Sequence, residues 1–256
     1  IPIIVVEGIL VVPDFRKGLI GFDPNTGEKL WHRTEIRSMM AMPTIFTYDN
    51  KEYILTANQD ENEMLCLDPL SGETLWNVDG IEHTGPIICS KNIALVVKGE
   101  PDSYLGRWTA YRLTPQSAEL LWTLSDEFSE VATQKDKGPR PHVTAKDGIF
   151  YLLHYVGGGS DETLLALNAE TGEIVARKTN DLNANGMPFF FEDKLVFVVD
   201  MFHSDPWLQM YNPQTLQTIG DKWRGETQGI TGYEIPTVMP YSDGFLYKRT
   251  AEGTLE

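Results

Sequence analysis

Cysteine is scarce in this sequence. The 256 residues hold two, Cys66 and Cys89. They form no C-x-x-C and no zinc spacing, and two thiols cannot build a disulfide framework. Each lies in an apolar run, so two buried free thiols are expected. Positive charge is also short. Lys and Arg number 21 against 37 Asp and Glu, for a net charge of −16. That balance excludes nucleic acid or an anionic membrane as the main partner, since both need a basic footprint. It fits a soluble surface, a cation or a basic partner. No apolar run reaches the roughly 20 residues of a membrane helix. Ile1 to Val12 is apolar, but Glu7-Gly8 interrupts it and no basic leader precedes it. It reads as a strand and not as a signal peptide. The chain starts without Met and inside a repeat, so an export signal or a lipid anchor is expected to lie outside it.

Familiar catalytic signatures are missing too. There is no H-E-x-x-H, no G-x-S-x-G and no Walker loop. Gly157-Gly158-Gly159 is followed by neither a helix pattern nor a Lys, so it reads as a loop and not as a phosphate cradle. Asn58 to Glu63 is acidic but lacks the alternating ligand spacing of a calcium loop. No catalytic residue and no metal ligand is assigned. Helical periodicity is absent, and the one short candidate, Ser117 to Leu124, coincides with a repeated hairpin.

What the sequence has is repetition. Leu67-Asp68-Pro69-Leu70-Ser71-Gly72-Glu73-Thr74-Leu75-Trp76 reads as strand, tight turn, strand. The phrase comes earlier as Phe22-Asp23-Pro24-Asn25-Thr26-Gly27-Glu28-Lys29-Leu30-Trp31. It returns at Leu113 to Trp122, at Leu167 to Ala176 and, worn, at Tyr211 to Thr218. Its marker positions Asp23, Asp68, Thr114, Asn168 and Asn212 lie 45, 46, 54 and 44 residues apart. A second marker keeps step, a Pro opening a β-branched or aromatic run: Pro2, Pro43, Pro86, Pro141, Pro188 and Pro236. Two markers locked at one such period indicate a propeller, solenoid or array. Each unit holds about four short strand patterns. In the second unit these are Pro43 to Tyr48, Tyr53 to Ala57, Met64 to Leu67 and Thr74 to Val78. Turn signals separate them. The expected fold is all-β: a β-propeller of four-stranded antiparallel blades, five full and one partial, treated as a single domain over residues 1–256. In the turn, Asp or Asn caps its own backbone, Pro presets φ and Gly takes the positive φ. Trp31, Trp76 and Trp122 are expected to fill wedges between blades.

The phrase L-D-x-x-T-G-E-x-x-W, with its Pro-led first strand, resembles the pyrroloquinoline-quinone (PQQ) repeat. That repeat builds quinoprotein dehydrogenases and also the BamB-like outer-membrane assembly lipoproteins. The resemblance covers the whole chain and is specific for fold. It implies a ring of seven or eight blades, of which this chain is a piece truncated at one or both ends; a closed six-bladed ring is the alternative. The dehydrogenases carry a vicinal cysteine pair against the quinone, a Trp on its other face and a calcium ion. Cys66 and Cys89 are not vicinal, and no calcium set can be placed. The expectation is therefore a non-catalytic binding or assembly scaffold, exported to the periplasm or beyond the cell, with no cofactor. A PQQ- and calcium-dependent alcohol dehydrogenase, with cofactor residues partly outside this chain, is the first alternative. A glycan-binding module of a secreted protein is the second.

Propeller loops between blades share one face with those joining second and third strands. The first set falls near residues 33–42, 78–85, 124–140, 179–187 and 224–235. The second falls near 14–17, 60–63, 102–108, 154–161 and 203–207. The candidate binding face, for a protein or glycan ligand, comprises His83, Arg140, His142, His154, His203, Trp108, Trp207 and Tyr233. Polar loops and gap-filling histidines are the plain alternative reading of the same residues.

Overall fold

The computed structural model describes residues 3–14, 18–37, 43–58, 60–81, 87–99, 105–124, 130–131, 143–155, 162–179, 188–199, 207–223, 241–242 and 245–246. They form antiparallel strands and turns, grouped into sheets that follow chain order.

Blade I is β1 (Ile4–Val6), β2 (Ile9–Asp14), β3 (Gly18–Phe22) and β4 (Lys29–Arg33). Blade II is β5 (Thr44–Tyr48), β6 (Lys51–Asn58), β7 (Glu63–Leu67) and β8 (Thr74–Asp79). Blade III is β9 (Ile88–Ser90), β10 (Ile93–Gly99), β11 (Leu105–Leu113) and β12 (Ala118–Thr123), with an added strand β13 (Glu130–Val131). Blade IV is β14 (Val143–Lys146), β15 (Ile149–Tyr155), β16 (Glu162–Asn168) and β17 (Ile174–Thr179). Blade V is β18 (Phe189–Phe191), β19 (Lys194–Val199), β20 (Trp207–Tyr211) and β21 (Thr218–Trp223). A last pair, β22 (Tyr241–Ser242) and β23 (Phe245–Leu246), follows. The four strands of blade II fall where the alternation and turn signals put them, and Ala118–Thr123 is a strand and not a helix.

The chain divides into two compact units. One comprises Ile1–Arg140, Ala145–Ile149 and Asn168–Glu173; the other comprises Pro141–Thr144, Phe150–Leu167 and Ile174–Glu256. In the first unit, one apolar core lies between blades I and II. It joins Val6, Val11, Leu19 and Trp31 to Ile54, Leu65 and Leu67. A second core lies between blades II and III and joins Phe46, Leu55, Met64 and Cys66 to Ala94, Val96, Tyr111 and Leu113. Each central strand thus feeds one core with its odd residues and the other with its even ones, as period-2 side-chain alternation demands. In the second unit, Val196 and Leu208 pack with Phe189, Phe191 and Met210.

The repeated phrase forms one turn four times over. The Asp68 N–H donates to the Glu73 carbonyl and the Gly72 N–H to the Asp68 carbonyl, at 2.9 and 2.8 Å. The Asp68 carboxylate accepts from the N–H groups of Leu70 and Ser71, both at 2.9 Å. Asn168 and Asn212 cap their turns the same way. Thr114 caps a shorter turn with its hydroxyl. After the turns of blades I to IV the outer strand carries a β-bulge, which shifts the register just before the tryptophan position; in blade V the shift comes after Ile219.

The tryptophans do more than fill wedges. The indole N–H of Trp31 donates to the Pro69 carbonyl in the turn of the following blade, at 2.9 Å. Trp76 donates to the Thr114 carbonyl and Trp122 to the Ala169 carbonyl, each at 2.8 Å. The glycine of the receiving turn lies against the ring. A Cβ on Gly72 would meet Trp31 at 2.7 Å, and one on Gly172 would meet Trp122 at 2.6 Å. The turn glycine therefore has two reasons to be glycine: a φ of +72° at both positions, and an indole where a side chain would go.

Candidate binding face

The best-defined part of the loop face is the end of blade II. Asn58, Glu63 and Asp79 end or begin β6, β7 and β8 at matched positions, with Asn58 opposite Glu63 and Glu63 opposite Asp79. Pleating puts all three, with Asn77, on one side of the sheet. The Asn58 amide donates to one Glu63 carboxylate oxygen at 3.2 Å, and the Asn77 amide donates to the other at 2.7 Å. Asn77 also reaches the Asp79 carboxylate at 3.3 Å, so one amide bridges two like charges.

The neighbouring loops are tied to this network. The Arg37 N–H donates to the side-chain amide oxygen Oδ1 of Asn58 at 3.3 Å, and its guanidinium faces Asp60 at 3.4 Å. The Ile81 N–H donates to the Asn62 carbonyl, and Ile81 bridges to Lys98 of blade III. The result is a preorganised polar surface carrying Asp60, Glu61, Glu63 and Asp79 against Arg37 and Lys98. Its chemistry is hydrogen bonding and charge recognition. Among the described residues no three His, Cys, Asp or Glu side chains converge in a way that could hold a metal.

Beside it, blade III is elaborated. Its central hairpin runs past the end of β12, with Gly99 paired to Gly106. On that overhang β13 pairs with β11, Leu105 to Val131 and Gly106 to Glu130. The 102–108 and 124–140 segments, read from sequence as two separate loops, are therefore joined by strand pairing. Trp108 lies on β11 opposite Val97 and is 3% exposed, so its ring sits inside the chain and not on a surface. His154 lies on β15, and Trp207 begins β20 opposite Val199. His83, Arg140, His142, His203 and Tyr233 lie outside the described residues. The polar network at Asn58, Glu63, Asn77 and Asp79 escapes a search for histidines and aromatics. The signal for it is the excess of carboxylates and amides at the ends of β6, β7 and β8.

The cysteines belong to the core. Cys66 is buried, and both thiols are free in the apolar region between blades II and III. Burial pushes the Cys66 thiol up to about 12, and burial raises Cys89 as well. They sit on different strands, β7 and β9, and do not fit the vicinal pair that a quinone cofactor would require.

A family model described as outer membrane protein assembly factor BamB matches residues 16–135. The match runs from blade I through blade III and makes that stretch similar to PQQ-like repeats. Solved structures agree on the fold. BamB from Moraxella catarrhalis superimposes with a TM-score of 0.60 at 16% identity, over 99% of this chain and 67% of that one. The computationally designed Ika8 protein gives 0.62 at 15% identity, over 99% and 68%. A quinohemoprotein alcohol dehydrogenase from Comamonas testosteroni gives 0.59 at 12%, over 87% and 42%. An assembly factor, a designed protein and an enzyme share this fold, so the fold alone leaves function open. No curated protein sequence matches the chain.

Proposed function

We propose that this chain is a non-catalytic binding and assembly scaffold of the periplasm, BamB-like in role as well as in repeat. One observation carries the reading: its ordered polar chemistry at the loop end of blades II and III is a surface network, built to present hydrogen-bonding groups and negative charge to a macromolecule. The matched family model, named for an assembly factor, points the same way. The partner is a protein with a basic contact patch, since acidic groups outnumber basic ones on this face and on the whole chain.

A PQQ-dependent alcohol dehydrogenase is the competing reading, favoured by neighbours such as the Comamonas enzyme. Against it stand the two cysteines, Cys66 inside a core and Cys89 packed against it, on separate strands. The test is direct. Reconstitution with PQQ and calcium should give no dye-linked alcohol oxidation, and turnover would overturn the scaffold reading.

A further inference from the structure

Among the described residues the indole locks come from blades I, II and III. In blade IV the tryptophan position is Ala176, paired opposite Ala166 as Trp76 is opposite Cys66. In blade V the turn glycine is also replaced, by Leu216. The two departures fall at the two positions that meet where Trp31 lies on Gly72 and Trp122 on Gly172.

Leu216 keeps the geometry of the glycine it replaces. Its N–H donates to the Asn212 carbonyl at 2.8 Å, as that of Gly72 does to Asp68. Its φ is +55°, a left-handed conformation that is strained for any residue with a branched or bulky side chain. That cost is borne by a side chain that is 1% exposed. Burial of a leucine is the term large enough to offset it.

The direction of Ala176 is fixed by its neighbour. Lys178, two residues on and therefore on the same side of β17, holds its ammonium 5.9 Å from the ring centroid of Tyr211. Arg33 stands at the equivalent place in blade I, two residues after Trp31, and donates to the Gly72 carbonyl and the Thr74 hydroxyl of the next blade. The side of β17 that carries Ala176 therefore faces blade V. Ala176, Lys178, Tyr211 and Leu216 all lie in the second unit.

We infer that the seam between blades IV and V is closed by an aliphatic plug. Leu216, donated by the receiving turn, occupies the space that an indole from the preceding blade fills at the other seams. The exchange removes the indole-to-carbonyl hydrogen bond and leaves a strained turn. This seam is accordingly the one where the blade array yields first, and it gives the scaffold a defined place to loosen.

The experiment is a double-mutant cycle with thermal unfolding. Leu216→Gly empties the seam and lowers Tm. Ala176→Trp drives a ring into Leu216 and lowers Tm. The pair together rebuilds the lock, unfolds above either single variant, and shows an introduced indole with blue-shifted emission. Additive losses would overturn the plug. Should a single variant fail to fold, hydrogen exchange on the unaltered protein decides. Amides of the blade V turn are expected to exchange at least tenfold faster than those of the blade II turn, and equal protection would overturn the inference.

Discussion

The indole of Trp31 and the turn glycine Gly72 are 41 positions apart in sequence and in contact in space. The ring lies where a Cβ on Gly72 would be, and its N–H holds the adjacent Pro69 carbonyl. One residue pair thus ties the outer strand of one blade to the hairpin of the next. The repeat phrase, which reads as a local turn signal, is also the inter-blade fastener.

That relationship separates two glycines that look identical in sequence. Gly27 and Gly72 both have positive φ, but a Cβ on Gly27 meets nothing within 4 Å. Gly27→Ala should cost only the left-handed penalty, about 1 kcal/mol. Gly72→Ala should cost that plus about 1–3 kcal/mol of overpacking against Trp31. Urea unfolding of the two variants checks the difference.

The hydrogen bond and the ring can be separated as well. Trp76→Phe keeps an aromatic ring and loses the donor to Thr114, for an expected loss of about 1 kcal/mol. Trp31→Ala removes a buried indole altogether, for about 3–5 kcal/mol. Equilibrium unfolding of both variants tests the ranking, and equal losses would mean that the ring contributes little.

The turn cap has natural alternatives within this one chain. Asn168 and Asn212 do what Asp68 does, accepting from two backbone N–H groups. Asp68→Asn should therefore be close to neutral. Asp68→Ala strands those donors and should lose about 1 kcal/mol. Paired melting curves give the comparison.

The two thiols make the fold sensitive to alkali in a calculable direction. The native pKa of Cys66 is about 12 against an ordinary value of 9.0. A raised native pKa means that the unfolded chain releases its proton first. The stabilisation is complete below pH 9, falls as pH rises, and is gone once pH passes about 12. Cys66→Ala should flatten that part of the pH–stability curve. At neutral pH the Cys66 thiol should react with a thiol reagent only as fast as the blade II–III core opens.

Much of the architecture was legible because it repeats. Asp23, Asp68, Asn168 and Asn212 announce the same turn, and the short run Tyr53 to Ala57 between turn signals announces a strand, which the structure extends to Lys51–Asn58. The candidate site was less legible, for a physical reason. Asn58, Glu63, Asn77 and Asp79 are ordinary strand-end polar residues, and only the register of β6, β7 and β8 brings them together. Trp108 shows the converse. Trp108 closes a segment read as the loop 102–108, yet β11 begins at Leu105 and carries the ring into the interior. The pairing of β13 with β11 had no local signal, since two residues in a polar insertion carry no periodicity.

The binding account stands or falls on where a partner touches the protein. The direct measurement is calorimetric titration of this chain into a purified outer membrane protein assembly complex lacking its own BamB. It would be run on the unaltered protein, on a loop-face variant (Asp60→Lys with Glu61→Lys) and on a turn-face variant (Leu70→Lys). The account predicts saturable binding, weakened at least tenfold by the loop-face change and left intact by the turn-face change. Absence of binding, or loss confined to Leu70→Lys, would contradict it.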